Sequence, residues 1–253
     1  MRLRFIVLAC TITACGVEPQ PGASTAASES TSELGTQSGG HGLIFDRQAH
    51  PYGASMVSWS EQIWSWIYRQ PAATNPLLDP TGASCDVDQS GPVWFLPSII
   101  PGASVFHGER TCTVPRHAAL LVQTAAFLND FPCPDPTFRP PPGQSLYDFL
   151  VAGAAPFIDS VNLLEVTIDG VHPDENMLDF RFTSTSLFQV TGDPSLQTAL
   201  DGCITGQPQP AVSDSYVFMV KPLPPGEHTL VWHTTDTFGM TGDTTLTYHL
   251  TVR

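Results

Sequence analysis

The chain has 253 residues, 42% of them hydrophobic and 13% charged, and a formal net charge of -14. That length allows one large core or two small ones, and 24 prolines with 20 glycines require many short elements joined by turns. Acidity on this scale repels phosphate backbones and anionic headgroups, which argues against nucleic acid as a partner.

At the N-terminus, Arg2 and Arg4 precede an apolar run from Phe5 to Ile12, and Ile12-Thr13-Ala14-Cys15 then resembles the lipobox of bacterial lipoproteins. The resemblance implies a signal peptide over 1–14, cleavage before Cys15 and a diacylglycerol on its thiol, with palmitate-type acylation. Val7-Leu8-Ala9-Cys10 fits the same pattern but leaves too short an apolar run. An ordinary secretory signal with an incidental cysteine is the competing reading. Gly16 stands where an aspartate would resemble an inner-membrane retention signal, so the outer membrane is favoured in a cell with two membranes. No later run reaches the roughly 18 apolar residues of a spanning helix, so membrane attachment is expected through lipid alone. Residues 15–40 are small, polar and without periodicity, the composition of a flexible tether. Residues 41–253 are then expected to form a single globular β-rich domain.

Residues 52–69, YGASMVSWSEQIWSWIYR, hold three of the five tryptophans. At about 100° per residue, Met56, Trp59, Ile63, Trp66 and Ile67 form one stripe, which Val57, Trp64 and Tyr68 widen. Ser58, Glu61, Gln62, Ser65 and Arg69 are left for water. Ser58 and Glu61 have capping-box spacing, yet the apolar pattern begins earlier, so the start is open by one turn; Pro71 discourages continuation past Gln70. The stripe reads as core in preference to a ligand platform, with Trp59, Trp64 and Trp66 as the stacking surface if the platform reading holds.

Asn-Pro, Asp-Pro and Thr-Gly pairs in NPLLDPTGASC mark successive turns, GPVWFLP is a buried strand, and RTCTVP pairs near it. Residues 118–124 supply another apolar run, and 132–143, rich in proline, must be irregular. Residues 145–155 are helical, with Ser145 and Asp148 placed to cap and Pro156 ending or kinking the helix. Beyond Val161 the period becomes two: Leu164, Val166 and Ile168 alternate with polar neighbours and close on Asp169-Gly170. Residues 180–182 and 187–190 are short strands. The turn at Leu223-Pro224-Pro225-Gly226 favours reversal into an antiparallel neighbour, and Leu246, Tyr248, Leu250 and Val252 face away from Thr245, Thr247, His249 and Thr251, as in a sheet with one wet face.

Cys85, Cys112, Cys133 and Cys203 form an even set in an exported chain and read as disulfides. Three pairings are possible; Cys85–Cys112 with Cys133–Cys203 is favoured because the first pair brackets a compact segment. No CxxC spacing points to a structural metal.

The Trp-rich helix, NPLLDPTGASC, DQSGPVWFLP, RTCTVP, VSDSYVFMVKPLPPGEHTL and the TYHLTV end together resemble a group of exported bacterial proteins, many with lipoprotein-type signals, over residues 52–252. The resemblance implies one continuous domain and paired cysteines, and nothing about catalysis. Where that group leads one to expect a Pro-Ala-Gly-Lys run, this chain has Arg116-His117-Ala118, so no role of that lysine carries over.

Chemistry-bearing motifs are sparse. Asp86 to Gly91 matches the first half of a calcium loop, but Pro97 stands where the bidentate glutamate belongs, and solvated turns are the better reading. His228 and His233 lie on opposite faces of one strand, and Glu227 and His233 are too far apart to act together. Asp159, Glu165, Asp169, Asp174, Glu175, Asp179 and Asp193 offer paired carboxylates only by abundance. No catalytic residue, metal or cofactor is assigned.

The expected fold is mainly β, an antiparallel β-sandwich with the Trp-rich amphipathic helix and a second short helix packed on it. The expected function is a lipid-anchored cell-envelope protein that binds or displays, taking a polysaccharide or protein ligand. The alternative is an exported hydrolase of polysaccharide or peptide using paired carboxylates.

Overall fold

The computed structural model describes residues 42–100, 105–237 and 242–253. Cys15, the signal over 1–14 and the tether over 15–40 lie outside the described residues.

The Trp-rich helix, α1 (Met56–Arg69), is capped by Ser55, whose hydroxyl accepts from the Ser58 backbone N–H at 3.2 Å. The start is therefore a turn earlier than the Ser58/Glu61 spacing indicated, where the apolar pattern itself begins. Met56, Trp59, Ile63, Trp64, Trp66, Ile67 and Tyr68 are buried, and so is Ser60, which the apolar pattern did not mark. Arg69 and Gln62 face water.

The protein is mainly β. Nine strands follow among the described residues: β1 (Val93–Leu96), β2 (Val105–Val114), β3 (Ala119–Asp130), β4 (Val161–Ile168), β5 (Arg181–Thr183), β6 (Phe188–Val190), β7 (Gln209–Val220), β8 (Gly226–Asp236) and β9 (Asp243–Val252). Helices α2 (Leu146–Asp159) and α3 (Leu196–Ala199) complete the order. One sheet runs β1-β3-β7-β5 with β6 also on β7, and the other runs β2-β9-β8-β4. Their covered faces share one hydrophobic core, in which Phe218, Val122, Trp232 and Tyr248 all take part.

Both sheets are mixed rather than wholly antiparallel: β1 lies parallel to β3, and β2 parallel to β9. The RTCTVP strand is not a neighbour of the GPVWFLP strand. β1 and β2 belong to different sheets, and Arg110 spans them by donating to Pro97 O at 2.9 Å and to the Tyr248 hydroxyl at 2.7 Å. The Leu223–Gly226 turn also does not close a hairpin. It carries the chain from β7 in one sheet to β8 in the other, and the true hairpin is β8–β9, which pairs Gly226 with Val252 through to Thr235 with Asp243. Proline and glycine fix how sharply the chain bends, but the ladder it joins afterwards is decided by which face is apolar.

Other local signals hold. Asp169 and Gly170 take φ of 52° and 76°, the left-handed pair required after β4. Ser145 caps α2 by accepting from Asp148 N–H at 3.1 Å. α2 continues through Pro156 to Asp159, because buried Ile158 and a Phe157–Phe127 stack at 4.2 Å hold its last turn against β3.

Cys85 pairs with Cys112 and Cys133 with Cys203, the favoured connectivity. Two disulfides mark an oxidising, exported environment. No described helix is long and apolar enough to cross a membrane.

Candidate functional site

All three tryptophans proposed as a stacking surface are covered: Trp59 is 8% exposed, Trp64 6% and Trp66 1%. Each indole N–H is used internally. Trp59 donates to Pro51 O at 3.0 Å, Trp66 to Val87 O at 2.9 Å, and Trp64 to the Ser215 hydroxyl at 3.2 Å. Ser215 continues to Ser213 at 3.0 Å and Ser213 to Ser60 at 2.8 Å, a buried hydroxyl chain that fixes α1 on β7. Trp64 also borders a cavity.

That cavity, about 410 Å³, lies between the flank of α1, strand β3, the strap at 98–100 and the segment after α3. Strand β3 is irregular where it borders the cavity. Gln123 pairs with Val217 and Ala126 with Ser215, three steps on one strand against two on the other. The extra residue is a β-bulge, which bends the strand and re-aims side chains, a device concentrated beside binding sites. At the bulge Thr124 turns its hydroxyl to Tyr216 O at 3.3 Å. Gln123 lines the cavity, is 0% exposed, and has no hydrogen-bond partner on either amide atom. A buried amide left unpaired costs about 1–3 kcal/mol.

Toward the C-terminal end of β3 the surroundings of the cavity are acidic, although Asp130 itself is not part of the lining. Asp201 lines the cavity, and the carboxylate oxygens of Asp130 and Asp201 lie within 4.8 Å of each other. Asp130 is 2% exposed with Oδ2 unpartnered, and burial first, then the Asp201 charge, pushes its carboxyl up to about 7. The Tyr68 phenol on the same wall is raised well above its ordinary value by burial and then by these two carboxylates. The Cys203 sulfur falls within the same 4.8 Å, but it is in a disulfide and offers no thiolate, so only two carboxylates remain for any cation.

Neither Asp130 nor Asp201 stands among the carboxylates that abundance brought forward. A signal for Asp130 exists: Ala126, Leu128 and Asp130 alternate on one face of β3, so a carboxylate continues an inward apolar series. For Asp201 there is none, because a loop brings it there.

Several other candidates make internal contacts. His228 pairs with Asp169 at 2.7 Å and braces the β4 turn against β8. His233 sits between Asp243 at 2.8 Å and Glu165 at 3.6 Å on the wet face of the second sheet. Asp88 is exposed beside Arg69 at 3.9 Å. Asp159 joins Asp214 in holding Arg181, both at 2.6 Å, which locks α2 to β5 and β7.

No family model and no curated protein matches the chain. A solved structure titled "Structure of PbICP-C in complex with falcipain-2" is 14% identical, covers 63% of this chain and 98% of that one, and superposes with a TM-score of 0.25. At that score the likeness carries no argument about fold or partner.

Proposed function

We propose that this is an exported, lipid-anchored cell-envelope protein, held in the outer membrane through Cys15, that works as a non-enzymatic binding module with its ligand seat in the α1–β3 cavity. The observation that carries the reading is the pairing of a largely apolar cavity of about 410 Å³ with an unpartnered, fully covered Gln123 amide. Small-ligand sites are of this kind: apolar walls, a few hundred cubic ångströms, and one or two polar groups that set orientation. The lipobox resemblance, the tether composition and the disulfides support the address.

Two experiments test it. The neutral dye N-phenyl-1-naphthylamine should bind the purified oxidised protein with a rise in fluorescence, and Leu128→Trp, which fills the seat, should abolish that rise. Dye binding unchanged by Leu128→Trp, or no binding at all, removes the site. Cys15→Ser should move the protein from the membrane to the soluble fraction; unchanged membrane retention removes the anchor.

A second reading, hydrolysis of a peptide or polysaccharide, is favoured by one observation, the Asp130–Asp201 pair. Environments that split two neighbouring carboxyls into one acid and one base are what such chemistry requires. Asp130→Asn and Asp201→Asn should each abolish hydrolysis of casein or of envelope glycan, and absence of any hydrolysis by the unaltered protein ends this reading.

A further inference from the structure

The cavity has two chemically different ends, and together they specify an occupant. Gln123 borders one, where its covered side-chain amide holds an unpartnered donor and acceptor edge to edge. Asp201, with Asp130 within 4.8 Å of it, stands at the other. Between them β3 runs from Gln123 to Leu128, about 15 Å at ordinary strand rise, and the intervening walls are apolar, with Trp64, Tyr68 and Leu128 among them.

We propose that the occupant is a short apolar peptide with a free N-terminus, its ammonium facing the Asp130–Asp201 end and a backbone amide paired with Gln123. This rests on the cavity being the ligand seat.

The argument is one of complementarity. A primary amide is paired fully only by a group with its own adjacent donor and acceptor, and a peptide unit supplies both. A sugar would bring many hydroxyls to a wall with few polar partners, and each unpaired one would cost free energy on burial. A fatty acid would bring a carboxylate to an end that already holds two, in a protein of net charge -14. An ammonium meets the reverse situation: it separates the two like charges and lets both carboxylates stay ionised. Length bears on the occupant as well, since about 15 Å of extended chain is four or five residues. Other titratable groups facing the acidic end do not alter the sign. The Tyr68 phenol remains neutral because its ionisation is pushed upward, and the neighbouring Cys203 sulfur is oxidised.

The test is competition against N-phenyl-1-naphthylamine on the intact oxidised protein, with trileucine amide, N-acetyl-trileucine amide and octylamine. Trileucine amide should displace the dye at least ten-fold more effectively than its acetylated form, and Asp201→Asn should erase that preference. Gln123→Leu should weaken both peptides several-fold while leaving octylamine unchanged, a split that general damage to the cavity would not produce. If the dye binds but acetylation has no effect, or octylamine competes as well as the peptide, the proposal is overturned while the cavity reading stands. If the dye itself does not bind, both fall together.

Discussion

Asp130 sits at the end of an apolar strand with its carboxyl pushed up to about 7, burial being the larger cause and Asp201 the second. Raising a carboxylate's folded-state pKa means that the folded chain holds a proton which the unfolded chain releases near its ordinary value, so folding binds protons between about pH 4 and pH 7. Stability from this group is therefore fully present below that window and is lost as pH rises through 7. A difference of about three pH units corresponds to no more than about 4 kcal/mol. Asp130→Asn keeps the shape and cannot ionise, so at pH 8 it should be more stable than the parent by a few kcal/mol, while at pH 4.5 the two should nearly coincide. Urea midpoints at both values would decide it, and parallel pH profiles would contradict the assignment. Gln123 offers a companion case without titration: Gln123→Leu should raise the urea midpoint, by about 1–3 kcal/mol in free energy, by removing an unsatisfied buried amide. A drop in stability would mean that Gln123 is satisfied in solution. Neither residue was prominent in the sequence, and the reason is physical. A glutamine or aspartate in a chain is scored as surface unless its strand parity is followed; for Gln123 that parity is broken by the bulge before Ala126, whereas for Asp130 it runs unbroken through Ala126 and Leu128.

At the scale of elements, α1 was legible because its periodicity is dense: eight of its fourteen residues are buried, and Trp59, Ile63 and Trp66 recur at helical spacing. β9 was legible for the same reason at period two, with Leu246, Tyr248, Leu250 and Val252 all inside. The crossing at Leu223–Gly226 was not, since turn chemistry is local and sheet membership is not. α1 invites a graded test. Trp66, 1% exposed and hydrogen-bonded to Val87 O, should cost about 3–5 kcal/mol when replaced by alanine. Ser55→Ala, which deletes the cap, should cost about 1 kcal/mol, and exposed Gln62→Ala should be nearly neutral. A Ser58→Ala variant more damaging than Ser55→Ala would restore the later helix start.

For the whole molecule, the two disulfides have different neighbourhoods. Cys85 and Cys112 are buried, 7% and 2% exposed, and join the segment after α1 to the second sheet. Cys133–Cys203 is half-buried and encloses the longer loop, a sequence separation of 70 against 27. Loop-closure entropy makes either bridge worth about 3–5 kcal/mol, with little to separate them, whereas attack by an external thiolate depends on access. Mild dithiothreitol should therefore open Cys133–Cys203 first, as a two-thiol intermediate resolved by alkylation and peptide mapping. Because Cys203 follows Asp201 by two residues and donates its N–H to that carboxylate at 2.9 Å, opening the bridge loosens the acidic end of the cavity and leaves Gln123 and the α1 core in place. The intermediate should keep its far-ultraviolet dichroism and its dye binding but lose discrimination between trileucine amide and its acetylated form. Reduction of Cys85–Cys112 first, or loss of fold and selectivity in a single step, would show that the acidic end is not an independently held part of the structure.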